Sequence, residues 1–258
     1  MIDGLLFLRR LLLPVLGAIS ALIVWEAAVH ILHVKPILVP APSVVFAEIA
    51  ASPGWFAEQT GYTALITLAG FASASIFGIL FAVLIVEWSV LDKLLFPLFV
   101  ALNSVPKVAV APLFIIWFGT GSEPKIAISF LVAVFAIVVD TALGLRSVPA
   151  DTLDLAKALR GSRLKVLLRI KLYCALPHIF AGLKVTMSLA LVGAIVGEFV
   201  SSQRGLGYVI LTAQGMFDTP RVFAAILILA VLGVAMIAVI DVLERICLPW
   251  KQGRAEGH

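Results

Sequence analysis

The chain has 258 residues, of which 62% are hydrophobic and 13% charged, with a formal net charge of +4 and a mean hydropathy of +1.14. So apolar a composition excludes an ordinary soluble domain and points to a membrane protein. Near-continuous apolar runs favour spanning helices over a barrel, whose strands would alternate in short segments.

A spanning helix needs about 20 mostly apolar residues. Runs of that kind predict an all-α membrane protein of about six spans, near 11–33, 62–87, 94–118, 125–145, 178–200 and 221–248. Arg9 and Arg10 precede the first run, which is too long for a signal-peptide core and is read as a retained anchor. Between the first two spans, residues 34–61 form an outer loop. There Pro36, Pro40 and Pro42 enforce extended chain, and Ser43 is expected to cap a short interfacial helix over 44–51. His30 and His33 share a face but lack a third ligand, so they are read as interfacial packing, and no metal site is assigned.

The third span is interrupted. Pro97, Pro106 and Pro112 each remove a helical hydrogen bond, and Asn103, Ser104 and Lys107 are polar at membrane depth. Irregular polar backbone at that depth belongs against protein or a wet cavity, which makes these three residues candidates for a translocation pathway.

After the fourth span, residues 146–177 gather Lys157, Arg160, Arg163, Lys165, Arg169 and Lys171. A short helix is expected here, with Pro149 at its start, Asp151 and Asp154 at its positive end and Gly161 as its stop. Ser162 then caps a second cytoplasmic helix that leads to Pro177.

In the fifth span, a 100° step per residue places Lys184, Ser188, Leu191, Ile195 and Glu198 on one stripe, with the two charges about 21 Å apart along the axis. That stripe is a second candidate pathway face. Gly193 and Gly197 form a G-x-x-x-G pair on the opposite face, suited to close helix packing and read as part of a dimer contact.

Cation placement sets orientation. With both termini inside, the inner segments hold Arg9, Arg10, Lys93, Arg146, the six cations of 146–177, Arg245, Lys251 and Arg254, and the outer segments only Lys35, Lys125, Arg204 and Arg221. Cys174 and Cys247 then lie at the cytoplasmic side and are expected to be reduced.

The 146–177 segment resembles the cytoplasmic EAA loop of bacterial ABC importer permeases. Asp154-Leu155-Ala156 stands at E-A-A and Ile170-Lys171-Leu172 at I-x-L. Arg160 occupies the glycine position, with Gly161 one place later, and Tyr173 the proline position. "LVPAPSVVFAEI", "SVPKVAVAPLFIIWFGTG", "AGLKVTMSLALVGAIVGEFV" and "GLGYVI" are similar to the nitrate, sulfonate and taurine branch, in family order, over about residues 36–210. The resemblance implies a single permease domain of the type I importer fold, in the bacterial inner membrane. It also implies a homodimer, two cytoplasmic ATPase subunits that bind ATP and Mg, and an external binding protein that delivers the solute. Asp154, Leu155, Ala156, Leu159, Arg160 and Gly161 would form the coupling helix. The chain itself shows no G-x-x-x-x-G-K-[ST] phosphate loop. The competing expectation is an ion- or proton-coupled transporter titrating Glu26, Asp140 or Glu198, which the lack of an internal repeat weakens. Nothing in the sequence indicates an enzyme or a nucleic-acid partner; the membrane partner is lipid.

Overall fold

A computed structural model describes residues 2–249. Side chains of residues 2–12, 14, 15 and 157 lie outside the description. Among the described residues there is no strand. The helices are α1 (Ile2–Ile31), α2 (Pro42–Ala51), α3 (Pro53–Glu87), α4 (Ser89–Asn103), α5 (Ala111–Phe118), α6 (Glu123–Arg146), α7 (Ala150–Ala158), α8 (Arg163–Val166), α9 (Leu172–Ser201), α10 (Leu206–Gly215) and α11 (Thr219–Cys247).

Four of these units are long and apolar enough to cross a membrane: α3, α6, the continuous stretch Arg163–Ser201, and α11. A fifth crossing is the broken pair Ser89–Asn103 and Lys107–Phe118, bent by 86°. The expected first span falls on α1, where Leu16–Ile31 counts as a shorter apolar helix among the described residues. Six spans therefore become four or five by length and composition.

The centre of the fold is α6, which lies along both α9 and α3. Ile128, Ala133, Ile137, Val138 and Ala142 of α6 are fully or almost fully buried. The expected glycine face is used here. A Cβ on Gly193 would stand 2.6 Å from Ser129 Cα, and one on Gly197 would stand 2.9 Å from Lys125 Cα. Across the same seam the Ser129 hydroxyl donates to the Ala190 carbonyl at 2.8 Å. Small residues let two backbones meet, as expected, but the partner is α6 of the same chain rather than a second copy.

Four local expectations need correction. Ser43 does not cap α2. Pro42 stands in the first turn, and Ser43 instead donates its N–H and its hydroxyl to the Glu26 carboxylate, at 2.9 and 2.8 Å. The second spanning helix begins at Pro53, so it absorbs the end of the outer loop assigned to 34–61. Pro112 breaks nothing, because it sits in the first turn of α5, where an N–H is dispensable. Pro97 is carried inside α4, and the break itself falls at Pro106, whose backbone is extended. Last, the second cytoplasmic helix does not stop at Pro177. α8 passes through a π-helical turn at Leu167–Lys171 directly into α9, with Pro177 inside the helix.

Candidate functional site

The segment 146–177 builds from its caps. α7 ends in a paired turn. Arg160 has φ of +52°, and the Gly161 N–H donates to the Ala156 carbonyl at 2.9 Å, the six-to-one bond of a Schellman stop. The left-handed residue is thus Arg160 and not Gly161, at the position where the family pattern has glycine. Ser162 does cap α8, accepting from the Lys165 N–H.

This stop decides which side of α7 faces out. Asp154, Leu155, Ala158, Leu159 and Arg160 are exposed, Leu155 at 61% and Leu159 at 75%. Ala156 is buried at 8%, turned into its own chain. It therefore cannot supply the close approach to a partner that its place in the family motif suggested. Two large exposed leucines beside a carboxylate form an apolar face with an acidic edge.

Ion pairs fasten this end of the molecule. Lys171 Nζ meets Glu87 at 2.6 Å, tying the π turn to the end of α3. Arg146, at the end of α6, pairs with Asp92 at the start of α4. A cavity of about 320 Å³ lies beneath α7, lined by Glu87, Leu153, Gly161, Arg163, Val166 and Lys171.

The expected pathway stripe on α9 is split. Lys184 pairs with Asp241 and, at 2.6 Å, with Glu244 of α11. Leu191 and Ile195 are partly buried against Leu206, Val209 and Leu229. Ser188 stays exposed, its hydroxyl returned to the Lys184 carbonyl at 3.2 Å. Glu198 is fully buried. Those five residues share a stripe, but most of it is a packing face inside the subunit, not an open wall.

Glu198 holds the start of α10. Thr63 Oγ1 donates to Glu198 Oε1 at 2.8 Å, and the Gly207 N–H donates to Oε2 at 2.7 Å. Thr63 Oγ1 in turn accepts the Leu206 N–H at 2.8 Å, and Gln59 accepts the Gly205 N–H at 2.7 Å. Three successive amides that a new helix leaves unpaired are thus satisfied by side chains of α3 and α9. Gly205 has φ of +100°, and a side chain there would run into the Glu198 carboxylate, so glycine is required twice over. α10 itself was not anticipated. Its signal was the "GLGYVI" stretch, a glycine turn followed by an apolar run.

The broken span brings its polar residues together. Lys107 Nζ donates to the Asn103 carbonyl at 3.0 Å and to Asn103 Oδ1 at 2.7 Å, bridging the bend. It also stands 4.7 Å from the centroid of the Phe135 ring on α6. Asn103 and Ser104 are exposed.

At the opposite end of the bundle from α7 lies a larger cavity of about 660 Å³, between the beginnings of α3 and α6 and the ends of α5 and α9. Among the described residues, no group of three or more His, Cys, Asp or Glu is placed to hold a metal ion.

Comparison with known proteins then settles the family. Residues 74–246 match the model described as "Binding-protein-dependent transport system inner membrane component". The chain belongs to that family. It is 33% identical to the formylaminopyrimidine transport permease protein ThiX of Halalkalibacterium halodurans, over 93% of this chain and 96% of the relative. It is 32% identical to the riboflavin transport system permease protein RibX of Chloroflexus aurantiacus, over 95% and 93%. It is 30% identical to the taurine transport system permease protein TauC of Escherichia coli, over 91% and 88%. The chain is an ABC permease of the nitrate, sulfonate and taurine branch, a multi-pass inner-membrane protein with the all-α type I permease fold.

Proposed function

We propose that this permease forms the translocation pathway of an ATP-driven importer, working as a homodimer with two cytoplasmic ATPase subunits. An external binding protein delivers the solute, a small anionic or heterocyclic organic compound. ATP and Mg belong to the ATPase. Both termini and the 146–177 segment are cytoplasmic in this reading, as the cation bias favours.

The observation that carries it is the course of the chain after α7. The exposed face of Asp154, Leu155 and Leu159 is followed by one continuous helical stretch, Arg163–Ser201. At 1.5 Å per residue such a rod is about 58 Å long, well beyond a hydrocarbon core of about 30 Å. It joins the docking face at one end to Glu198 and α10 at the other. When ATP draws the ATPase subunits together, movement of α7 is carried along this rod, and the spans rearrange between inward and outward access. Asp154, Leu155 and Leu159 make the contact, while Arg160 and Gly161 fix the turn. Asn103, Ser104, Lys107 and Ser188 are the pathway residues that the burial pattern supports, since Leu191, Ile195 and Glu198 are engaged within the subunit.

The test is retention of the ATPase on the tagged permease. The double variant Leu155→Asp, Leu159→Asp replaces two exposed leucines, so the permease itself should insert and unfold like the parent. It should lose the ATPase on co-purification, while Asp154→Asn should keep the ATPase but lower its stimulated activity. Full retention by the double variant would refute docking through α7.

A further inference from the structure

The cavity at the end of the bundle away from α7 has a chemistry of its own. Lys125, Arg204, Tyr62, Ser122, Ser201 and Ser202 line it. Lys125 is only 2% exposed. Two of its three ammonium protons go to the Gly121 carbonyl at 2.6 Å and the Thr120 carbonyl at 3.3 Å. The third has no acceptor among the described residues. The same ammonium lies 6.0 Å from the Tyr62 ring centroid. The carboxylates whose charge reaches Lys125, Glu198 and Glu123, stand outside the lining.

The rest of the wall is equally prepared. Ser202 accepts the Arg204 N–H at 3.2 Å and donates to the Arg204 carbonyl at 2.5 Å, so the loop that carries Arg204 is fixed by its own hydroxyl. The Arg204 guanidinium makes no ion pair among the described residues. Ser201 Oγ is buried and without a hydrogen-bond partner among them. An orphan hydroxyl and a buried ammonium with a spare proton are costly to keep in a wall unless something answers them.

We propose that this cavity is a subsite for the anionic group of a small solute, a carboxylate or sulfonate, held by Lys125 and Ser201 from within and closed over by Arg204. The proposal rests on the permease reading above and adds to it a solute class and a place. Two cations and a hydroxyl donor around a cavity with no carboxylate in its lining favour an anion over a neutral or cationic group. Tyr62 and Ile115, on opposite walls, offer apolar surface to the rest of the solute.

The test uses the full chain in nanodiscs of zwitterionic lipid, without ATPase or binding protein. The probe is trifluoromethanesulfonate, followed by ¹⁹F line broadening, with a fluorinated quaternary ammonium as the cationic control. The anion alone should broaden. Ser201→Ala removes a hydroxyl that bonds to nothing in the fold, and Arg204→Gln alters an exposed side chain, so both variants should melt like the parent. Each should nonetheless weaken the anion by about tenfold, the worth of one charge-assisted hydrogen bond. Competition by phosphatidylglycerol in the disc would assign the cavity to a lipid headgroup and overturn the solute reading. So would broadening that is equal in both variants and the parent, or equal for the cation. Any of these results leaves ATPase retention through α7, and with it the permease reading, untouched.

Discussion

Consider Gly193→Ala, a change of one methyl group. A Cβ at this position would stand 2.6 Å from Ser129 Cα, 3.1 Å from the Ile128 carbonyl oxygen and 3.2 Å from the Ser129 nitrogen. All three are backbone atoms, so no rotamer change relieves the clash. Carbon atoms settle at about 3.5–4.0 Å, so α6 and α9 must part by about 1 Å. Overpacking of this kind costs about 1–3 kcal/mol. The hydrogen bond from Ser129 to Ala190 crosses the same seam, and stretching it adds about 1 kcal/mol. Against this, alanine gains about 1 kcal/mol of helix propensity over glycine. The net expectation is a loss of about 1–3 kcal/mol. Gly61→Ala is the control, since its Cβ would meet nothing within 4 Å. Unfolding in a fixed detergent, by heat or by titration with a denaturing detergent, should show Gly193→Ala less stable than the parent and Gly61→Ala equal or better. If the two variants behave alike, the α6–α9 seam is not the tight contact that the geometry describes.

Glu198 gives a second test. Glu198→Ala strands the Gly207 N–H and the Thr63 hydroxyl in a buried place, at about 1–3 kcal/mol for each unsatisfied group, whereas Glu198→Gln keeps one acceptor for Gly207 and should lose much less. Limited proteolysis around 202–216 should rise in the alanine variant first; indifference to it would refute the capping role. Arg160→Gly gives the third. A side-chain-bearing residue at φ of +52° costs about 1–2 kcal/mol that glycine avoids, so the variant should protect the amides of α7 against hydrogen exchange. Faster exchange in α7 would mean that the Arg160 side chain, not the backbone geometry, holds the turn.

How much of this was legible beforehand depends on whether a feature is local. The apolar runs are, and they located α3, α6, α9 and α11 within a few residues. The break near Pro106 is local too, because the extended backbone before and at a proline follows from its ring. Gly193 and Gly197 announced a close approach, but small residues say only that a helix can come near, not which one. Ser43 had the chemistry of a cap and a better offer, a carboxylate on α1 seventeen residues earlier in the chain. Ala156 read outward because its motif position was taken at face value. The αL residue at Arg160, which turns it inward, is the one place where the sequence lacks the glycine that would have announced it.

Glu198 is the clearest case of what sequence alone withholds. A carboxylate at the end of an apolar helix reads equally well as a pathway charge, a proton carrier or an interfacial group. Its actual partners are Thr63, 135 positions away, and the amide of Gly207. That arrangement changes its meaning. A carboxylate that answers a hydroxyl and a backbone amide in a fully buried place is not free to face a passing solute, and the titrating role considered for it in a coupled transporter loses its structural basis. Its position instead makes α9 and α10 a single body at this end, just behind the wall that holds Lys125. A displacement begun at α7 and carried along Arg163–Ser201 would then move Ser201 and the Arg204 loop together. The cavity at one end and the docking face at the other would be opened and closed by the same rod, which is what an importer needs if solute is to be released only when the ATPase has moved.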